Sequence, residues 1–169
     1  MAEPQALEER TESVLVEETR AGRYQMSVHA AGATFLVDEP VALGGLGAGP
    51  NPYDLLSAAL GSCTAMTVRL YADRKKWPLD RVRVEVKHVR SGLTARDRFR
   101  REIKLDGALD AEQRSRLLEI ANRCPVHLTL ERGAEVETAL VDVAPAAGDV
   151  AEAGQHMRDM TECVDLGGS

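Results

Sequence analysis

The chain has 169 residues, 44% of them hydrophobic and 28% charged, a balance that fits one soluble domain with flanking tails and excludes a disordered chain or a membrane protein. Its formal charge of −6 is uneven: residues 1–12 hold four acids and one base and residues 143–169 five acids and one base, which leaves residues 13–142 at about +1. The first twenty residues are acidic with no apolar run, so no signal peptide is expected, no later stretch reads as a membrane span, and the expected location is cytoplasmic. The organisation read from these shifts is an acidic tail at 1–12, a folded domain at 13–142 and a flexible extension at 143–169.

In chain order, "SVLVEET" at 13–19 and "YQMSVH" at 24–29 are β-prone runs joined by Arg20-Ala21-Gly22-Arg23, which predicts a hairpin, and "ATFLVDE" at 33–39 adds a third strand. "PVALGGLGAGP" is too rich in Gly and Pro for regular structure and reads as a loop. It is not a phosphate cradle, because it lacks the lysine that such a loop requires. A long helix follows. Asn51 suits its cap, Pro52 its first position and Asp54 the positive end of its dipole. At 100° per residue, Leu56, Ala59, Leu60, Cys63, Met66, Thr67 and Leu70 share one face, and Pro78 ends the helix.

"RVRVEVKHV" at 81–89 alternates cleanly and "RFRREIKL" at 98–105 less so, with Phe99, Ile103 and Leu105 as its apolar positions; together they predict an antiparallel pair. Asp110 and Gln113 form a capping pattern that opens a helix to Asn122. Cys124 then stands at the N-cap of a short helix whose first residue is Pro125, "EVETALVDV" at 135–143 reads as a last strand, and "QHMRDMTECVDL" as a short helix after an Ala/Gly-rich linker at 144–154. This order is α+β. So broad an apolar helical face needs more cover than the small sheet supplies, which predicts a homodimer.

Cys63, Cys124 and Cys163 are an odd set, and a reducing compartment keeps them as thiols at rest. A cysteine on an apolar helical face is usually a small buried hydrophobe. Cys124 differs, because a helix N-terminus lowers a thiol's pKa, and on the residues alone it is the more acidic of the two. Two thiols in unlike surroundings suggest a nucleophile and a resolving partner. Complete ionisation of a thiol with pKa ~8.5 gains at most ~30-fold at pH 7, so a guanidinium near the leaving oxygen has to supply more; Arg20 and Arg23 are the loop arginines considered. Cys63, Cys124 and His127 offer a competing metal site, but no paired C-x-x-C supports it and no metal is expected. The run 69–104 holds thirteen Lys/Arg against five Asp/Glu, yet its alternation makes it the wet face of a strand pair rather than a nucleic-acid surface.

"GAGPNPYDLLSAALGSCTAMTVRLYADRKKWPL" and "ANRCPVHLTL", two spaced motifs in order, resemble the OsmC/Ohr family of osmotically induced and organic hydroperoxide resistance proteins over roughly 13–142. The resemblance implies an OsmC-like fold, with antiparallel sheets packed on a long central helix in an intertwined homodimer. It further implies reduction of organic hydroperoxides, with Cys63 the peroxidatic and Cys124 the resolving cysteine, and a dithiol such as a lipoyl group as the reductant in place of a bound cofactor. The family's early-hairpin arginine falls on Arg20 or Arg23, of which Arg23 is taken. The family's glutamate at the helix start is Tyr53 here, which matches the OsmC-like branch and leaves Asp54 or Glu39 to hold the arginine. Leu56, Leu60 and Met66 would wall the site and favour organic hydroperoxides over hydrogen peroxide: four buried methylenes at ~0.8 kcal/mol each give about 3 kcal/mol, or ~10²-fold.

Overall fold

The computed structural model describes residues 13–92, 94–143 and 155–166. The expected tail at 1–12 and linker at 144–154 lie outside the described residues. The chain divides into two compact units, Met1–Pro50 with Leu140–Gln155 and Asn51–Ala139 with His156–Ser169.

The first unit is an antiparallel meander of β1 (Val14–Glu18), β2 (Met26–Ala30) and β3 (Ala33–Val37). All three expected strands form: β1 is trimmed at both ends, β2 starts two residues later and runs one further, and β3 ends two residues earlier. Ala31 and Gly32 both have positive φ, 47° and 77°, and make the two-residue turn that matches the twist of a hairpin. The Gly-rich stretch after β3 holds a single 3-10 turn, Val41–Leu43. It is pinned by the buried Asp38 carboxylate, which accepts backbone N–H bonds from Glu39 (2.8 Å), Leu46 (3.1 Å) and Ala48 (3.3 Å). Burial works to raise the Asp38 pKa, but these donors outweigh it and hold the carboxyl below its ordinary value. Gly45 is required here, because a Cβ would overlap the Glu39 carbonyl oxygen.

The second unit is built on α1 (Pro52–Arg74), which packs against the antiparallel pair β4 (Leu79–Val89) and β5 (Arg98–Gly107) and against α2 (Ala111–Ala121) and α3 (Pro125–Arg132). Asn51 Oδ1 accepts from the N–H groups of Tyr53 (2.9 Å) and Asp54 (3.0 Å), and the Asp54 carboxylate accepts from Asn51 N–H (3.0 Å), a reciprocal capping box. The C-terminus closes before the expected proline stop. Lys76 takes φ 54°, Lys76 N–H bonds to the Asp73 carbonyl (3.1 Å) and Trp77 N–H to the Ala72 carbonyl (2.9 Å).

The buried face of α1 comprises Leu60, Cys63, Thr64, Thr67, Val68, Tyr71 and Ala72. Leu56 and Met66, expected on that face, are 42% and 52% exposed. The broad apolar face therefore turns in this chain toward Thr64, Val68 and Tyr71, because those positions meet α2 and the sheet. By length and composition α1 would suffice to cross a bilayer, which corrects the expectation that no stretch qualifies. Its charges are confined to its ends, while its inner side carries Val68, Tyr71 and Ala72 into a core with Leu79, Leu109, Leu117 and Ile120. Leu117 and Ile120 are fully buried there, each contributing about 1.5–3 kcal/mol.

Asp110 caps α2 in the expected box with Gln113. The expected helix at the chain's end forms as α4 (Gln155–Leu166), and Met160 and Val164 are buried, so this part of the expected extension is packed rather than free. The expected strand at 135–143 does not form among the described residues: 133–141 carry no regular structure, with Val136 86% and Leu140 100% exposed. A β-prone run becomes a strand only beside a partner edge, and this one has none within the described chain.

Candidate functional site

Cys63 lies three turns into α1, and Cys124 is the N-cap residue of α3. Gly61 allows α1 to approach the sheet closely, since a Cβ there would lie 3.3 Å from Val86 Cγ2. That approach buries the two cysteines with Leu60, against Val86 and Phe99 of the sheet and Val126 and Leu130 of α3. Cys63 is 1% exposed and Cys124 fully buried, and both are free thiols.

The surroundings of the two sulfurs are unequal. Cys63 Sγ accepts one N–H, from Val126, at 3.4 Å. Cys124 Sγ has Thr64 Oγ1 at 3.5 Å and Arg101 Nη1 at 3.9 Å. Arg101 is held firmly. Its Nη1 also donates to Thr64 Oγ1 (2.8 Å) and the Ala121 carbonyl (2.9 Å), and its Nη2 to Asn122 Oδ1 (2.9 Å) and His127 Nδ1 (2.9 Å). A guanidinium only donates, so His127 Nδ1 accepts and the ring proton sits on Nε2, facing Glu131 Oε2 at 3.5 Å.

The two neighbouring thiols drive each other's acidities apart. Cys124 is held at about 5: the neighbouring Cys63 is the largest cause, burial opposes it, and Thr64, the His127 backbone N–H and the Arg101 charge add to the lowering. Cys63 is pushed well above the ordinary thiol range, first by the neighbouring Cys124 and then by burial, against the Val126 N–H. The anion belongs on Cys124, since the guanidinium and the helix N-terminus both face that sulfur. The residue reading that Cys124 is the more acidic thiol agrees with this geometry.

Of the expected site residues, Cys63, Cys124 and Leu60 come together, while Leu56 and Met66 lie outside the cluster; its walls are Val86, Phe99, Val126 and Leu130 instead. Asp54 is engaged in the helix cap. Tyr53 stacks on His88 at 4.4 Å between centroids, 7° from parallel, and Arg90 lies over its ring at 5.0 Å. His88 Nε2 is 2.7 Å from Asp97 Oδ1, and Arg90 clamps the Asp97 carboxylate through Nε and Nη2, both at 2.7 Å. Donation from Arg90, then from His88, holds the Asp97 carboxyl well below its ordinary value. Arg20, Arg23 and Glu39 belong to the first unit, where Arg23 lies 5.4 Å over the Tyr24 ring and Arg20 takes φ 61° at the hairpin tip.

Arg101 is the site residue that sequence reasoning missed. It stands on the inward register of β5, between Phe99 and Ile103, opposite Val86 of β4. The imperfect alternation of "RFRREIKL" was its signal: a charge at an inward position needs buried partners. Cys63, Cys124 and His127 do not assemble as metal ligands; among the described residues no group of three His, Cys, Asp or Glu side chains is placed to hold a metal ion.

A protein-family model described as OsmC-like protein matches residues 45–139. No curated protein matches the chain. Among solved structures, an osmotic stress induced and detoxification response protein of Psychrobacter arcticus is similar at 21% identity and TM-score 0.62, covering 73% of this chain and 91% of that one. An OsmC-like protein of Mycoplasma pneumoniae is similar at 17% identity and TM-score 0.61, covering 73% and 89%. An organic hydroperoxide resistance protein of Legionella pneumophila is similar at 22% identity and TM-score 0.51, covering 75% and 91%. The family match spans more than half of the chain, carries both α1 and the Cys124 motif, and agrees with the α+β architecture: the chain belongs to the OsmC family.

Proposed function

We propose that this protein is a thiol peroxidase that reduces organic hydroperoxides. The observation that carries the reading is the pair of buried free thiols, Cys63 and Cys124, packed in one apolar cluster with a fixed guanidinium beside Cys124. Cys63 sulfur attacks the distal peroxide oxygen; an S–O bond forms, the O–O bond breaks and the alcohol leaves. Cys124 then attacks the sulfenic sulfur, a disulfide forms and water leaves. An external dithiol, such as a lipoyl group, returns both cysteines to thiols in a reducing, cytoplasmic setting. Walls of Leu60, Val86, Phe99, Val126 and Leu130 suit an alkyl or aryl group better than hydrogen peroxide.

A homodimer forms part of the proposal. It is supported by the exposed Leu56 and Met66 of α1 and by the exposed, β-prone 135–143 segment, which a second copy would cover. A second reading, a binding or sensing protein of the same fold without turnover, is favoured by one feature: Tyr53 is engaged with His88 and Arg90 rather than presenting a carboxylate.

The test is non-reducing peptide mapping after reduced protein meets one equivalent of cumene hydroperoxide or, separately, of hydrogen peroxide. The expected outcome is a Cys63–Cys124 link that forms faster with the organic peroxide. An intact fold in which neither peroxide links the pair would leave the sensing reading standing.

A further inference from the structure

We infer that Arg101 and Thr64 form a cradle that holds Cys124 as a thiolate for the resolving step, which makes both of them positioning residues for the second half of the reaction. The inference rests on the peroxidase reading for its reaction, and on contacts to the Cys124 sulfur for its residues.

A guanidinium set between a strand and three helices needs acceptors, and it needs negative charge close by. Arg101 finds acceptors in Thr64 (2.8 Å) and in the Ala121 carbonyl, Asn122 and His127 (each 2.9 Å), and all four are neutral. Cys124 Sγ, 3.9 Å from Nη1, is its remaining contact, and as a thiolate it supplies the balancing charge. Thr64 is fully buried and acts with the guanidinium. Its Oγ1 accepts from Arg101, and its one proton has two acceptors in reach, the Leu60 carbonyl at 2.7 Å and Cys124 Sγ at 3.5 Å. A thiolate only accepts, so charge on the sulfur draws that proton toward it. Thr64 follows Cys63 on α1 and Arg101 comes from β5, so together they fix the resolving sulfur against the helix that carries its target. Cys63 Sγ faces the Val126 N–H instead. The titratable and charged groups around Cys124 are Cys63 from α1, Arg101 from β5, His127 from its own helix and, at longer range, Cys163 from α4.

In the step itself the Cys124 thiolate attacks the sulfenic sulfur of Cys63. The S–S bond forms, the S–O bond breaks, and the oxygen leaves with the electron pair as hydroxide, which solvent protonates. Cys124 is oxidised and the Cys63 sulfur reduced, the hydroperoxide of the first step being the oxidant. Lowering a thiol's pKa also weakens its thiolate as a nucleophile, so near neutral pH the cradle changes the rate little. Its effect is on pH dependence. A sulfur held as thiolate resolves equally well at about pH 6 and about pH 8, whereas an ordinary thiol loses its reactive form about tenfold per unit as pH falls.

The experiment uses the reduced full chain and two readouts. The first is the ultraviolet absorbance of thiolate, titrated from about pH 4 to about pH 9; the step missing from Cys124→Ser belongs to Cys124. Arg101→Met and Thr64→Val should each move that step to higher pH, with Arg101→Lys and Thr64→Ser returning it part of the way. Thr64→Val keeps the side chain's shape, so it carries the test if Arg101→Met does not fold. The second readout is the partition of the Cys63 sulfenic acid, made with cumene hydroperoxide, between the Cys63–Cys124 disulfide and a dimedone adduct, read by mass spectrometry. Between about pH 6 and about pH 8 the partition should stay flat in the wild type and shift about tenfold toward the disulfide in Arg101→Met and Thr64→Val. An absorbance step that stays in place, or partition profiles parallel to the wild type, would overturn the inference. If the step moves while no hydroperoxide reacts, the cradle stands and the peroxidase reading falls.

Discussion

At the residue scale, the cysteine pair couples protonation to stability, and the signs can be worked out. The unfolded thiols titrate at about 8.5. Cys124, lowered to about 5 when folded, contributes stability that is full above the unfolded value and is lost as pH falls through about 5. Cys63, raised when folded, contributes stability that is full below the unfolded value and is lost as pH climbs above it. The stability difference between wild type and the Cys63→Ala/Cys124→Ala variant should therefore grow from about pH 5 to about pH 8.5 and shrink beyond. Urea midpoints across that range measure it, and Arg101→Met should flatten the rising limb. A difference constant with pH would mean the thiols do not shift each other's acidity.

At the scale of elements, α1 shows a local cost accepted for packing. A glycine inside a helix costs about 1 kcal/mol relative to alanine, and Gly61 lies in the interior of α1, within the span that faces β4. Its missing side chain brings the Cys63 turn down onto Val86. Gly61→Val is expected to destabilise the protein by about 1–3 kcal/mol through overpacking, despite removing a helical glycine. It should also raise Cys63 alkylation as the turn lifts away. Denaturant melts and alkylation rates check both; a gain in stability would show that close approach is not why glycine stands there. The ends of α1 follow simpler rules. Asn51, Pro52 and Asp54 were readable because a cap is a contract between residues three apart.

At the scale of the molecule, the 135–143 run and the outer face of α1 are apolar surface that a second copy is proposed to cover. Leu140→Asp combined with Met66→Lys should shift the assembly toward monomer, read by light scattering on an eluting column. A wild type that runs as a monomer at micromolar concentration would contradict the dimer.

The sequence by itself determined the three short strands, the caps of α1 and α2, the position of Cys124 at the start of α3 and the family, because each depends on neighbours a few residues apart. Only the tertiary structure decided that Arg101, from a strand far along the chain, sits beside the Cys124 sulfur, that Leu56 and Met66 face outward, and that 135–143 stays unpaired. A period-2 pattern can place a side chain on the inner face of a strand, but which helix, thiol or edge it meets there is set by how the elements pack, and packing depends on contacts between residues distant in sequence.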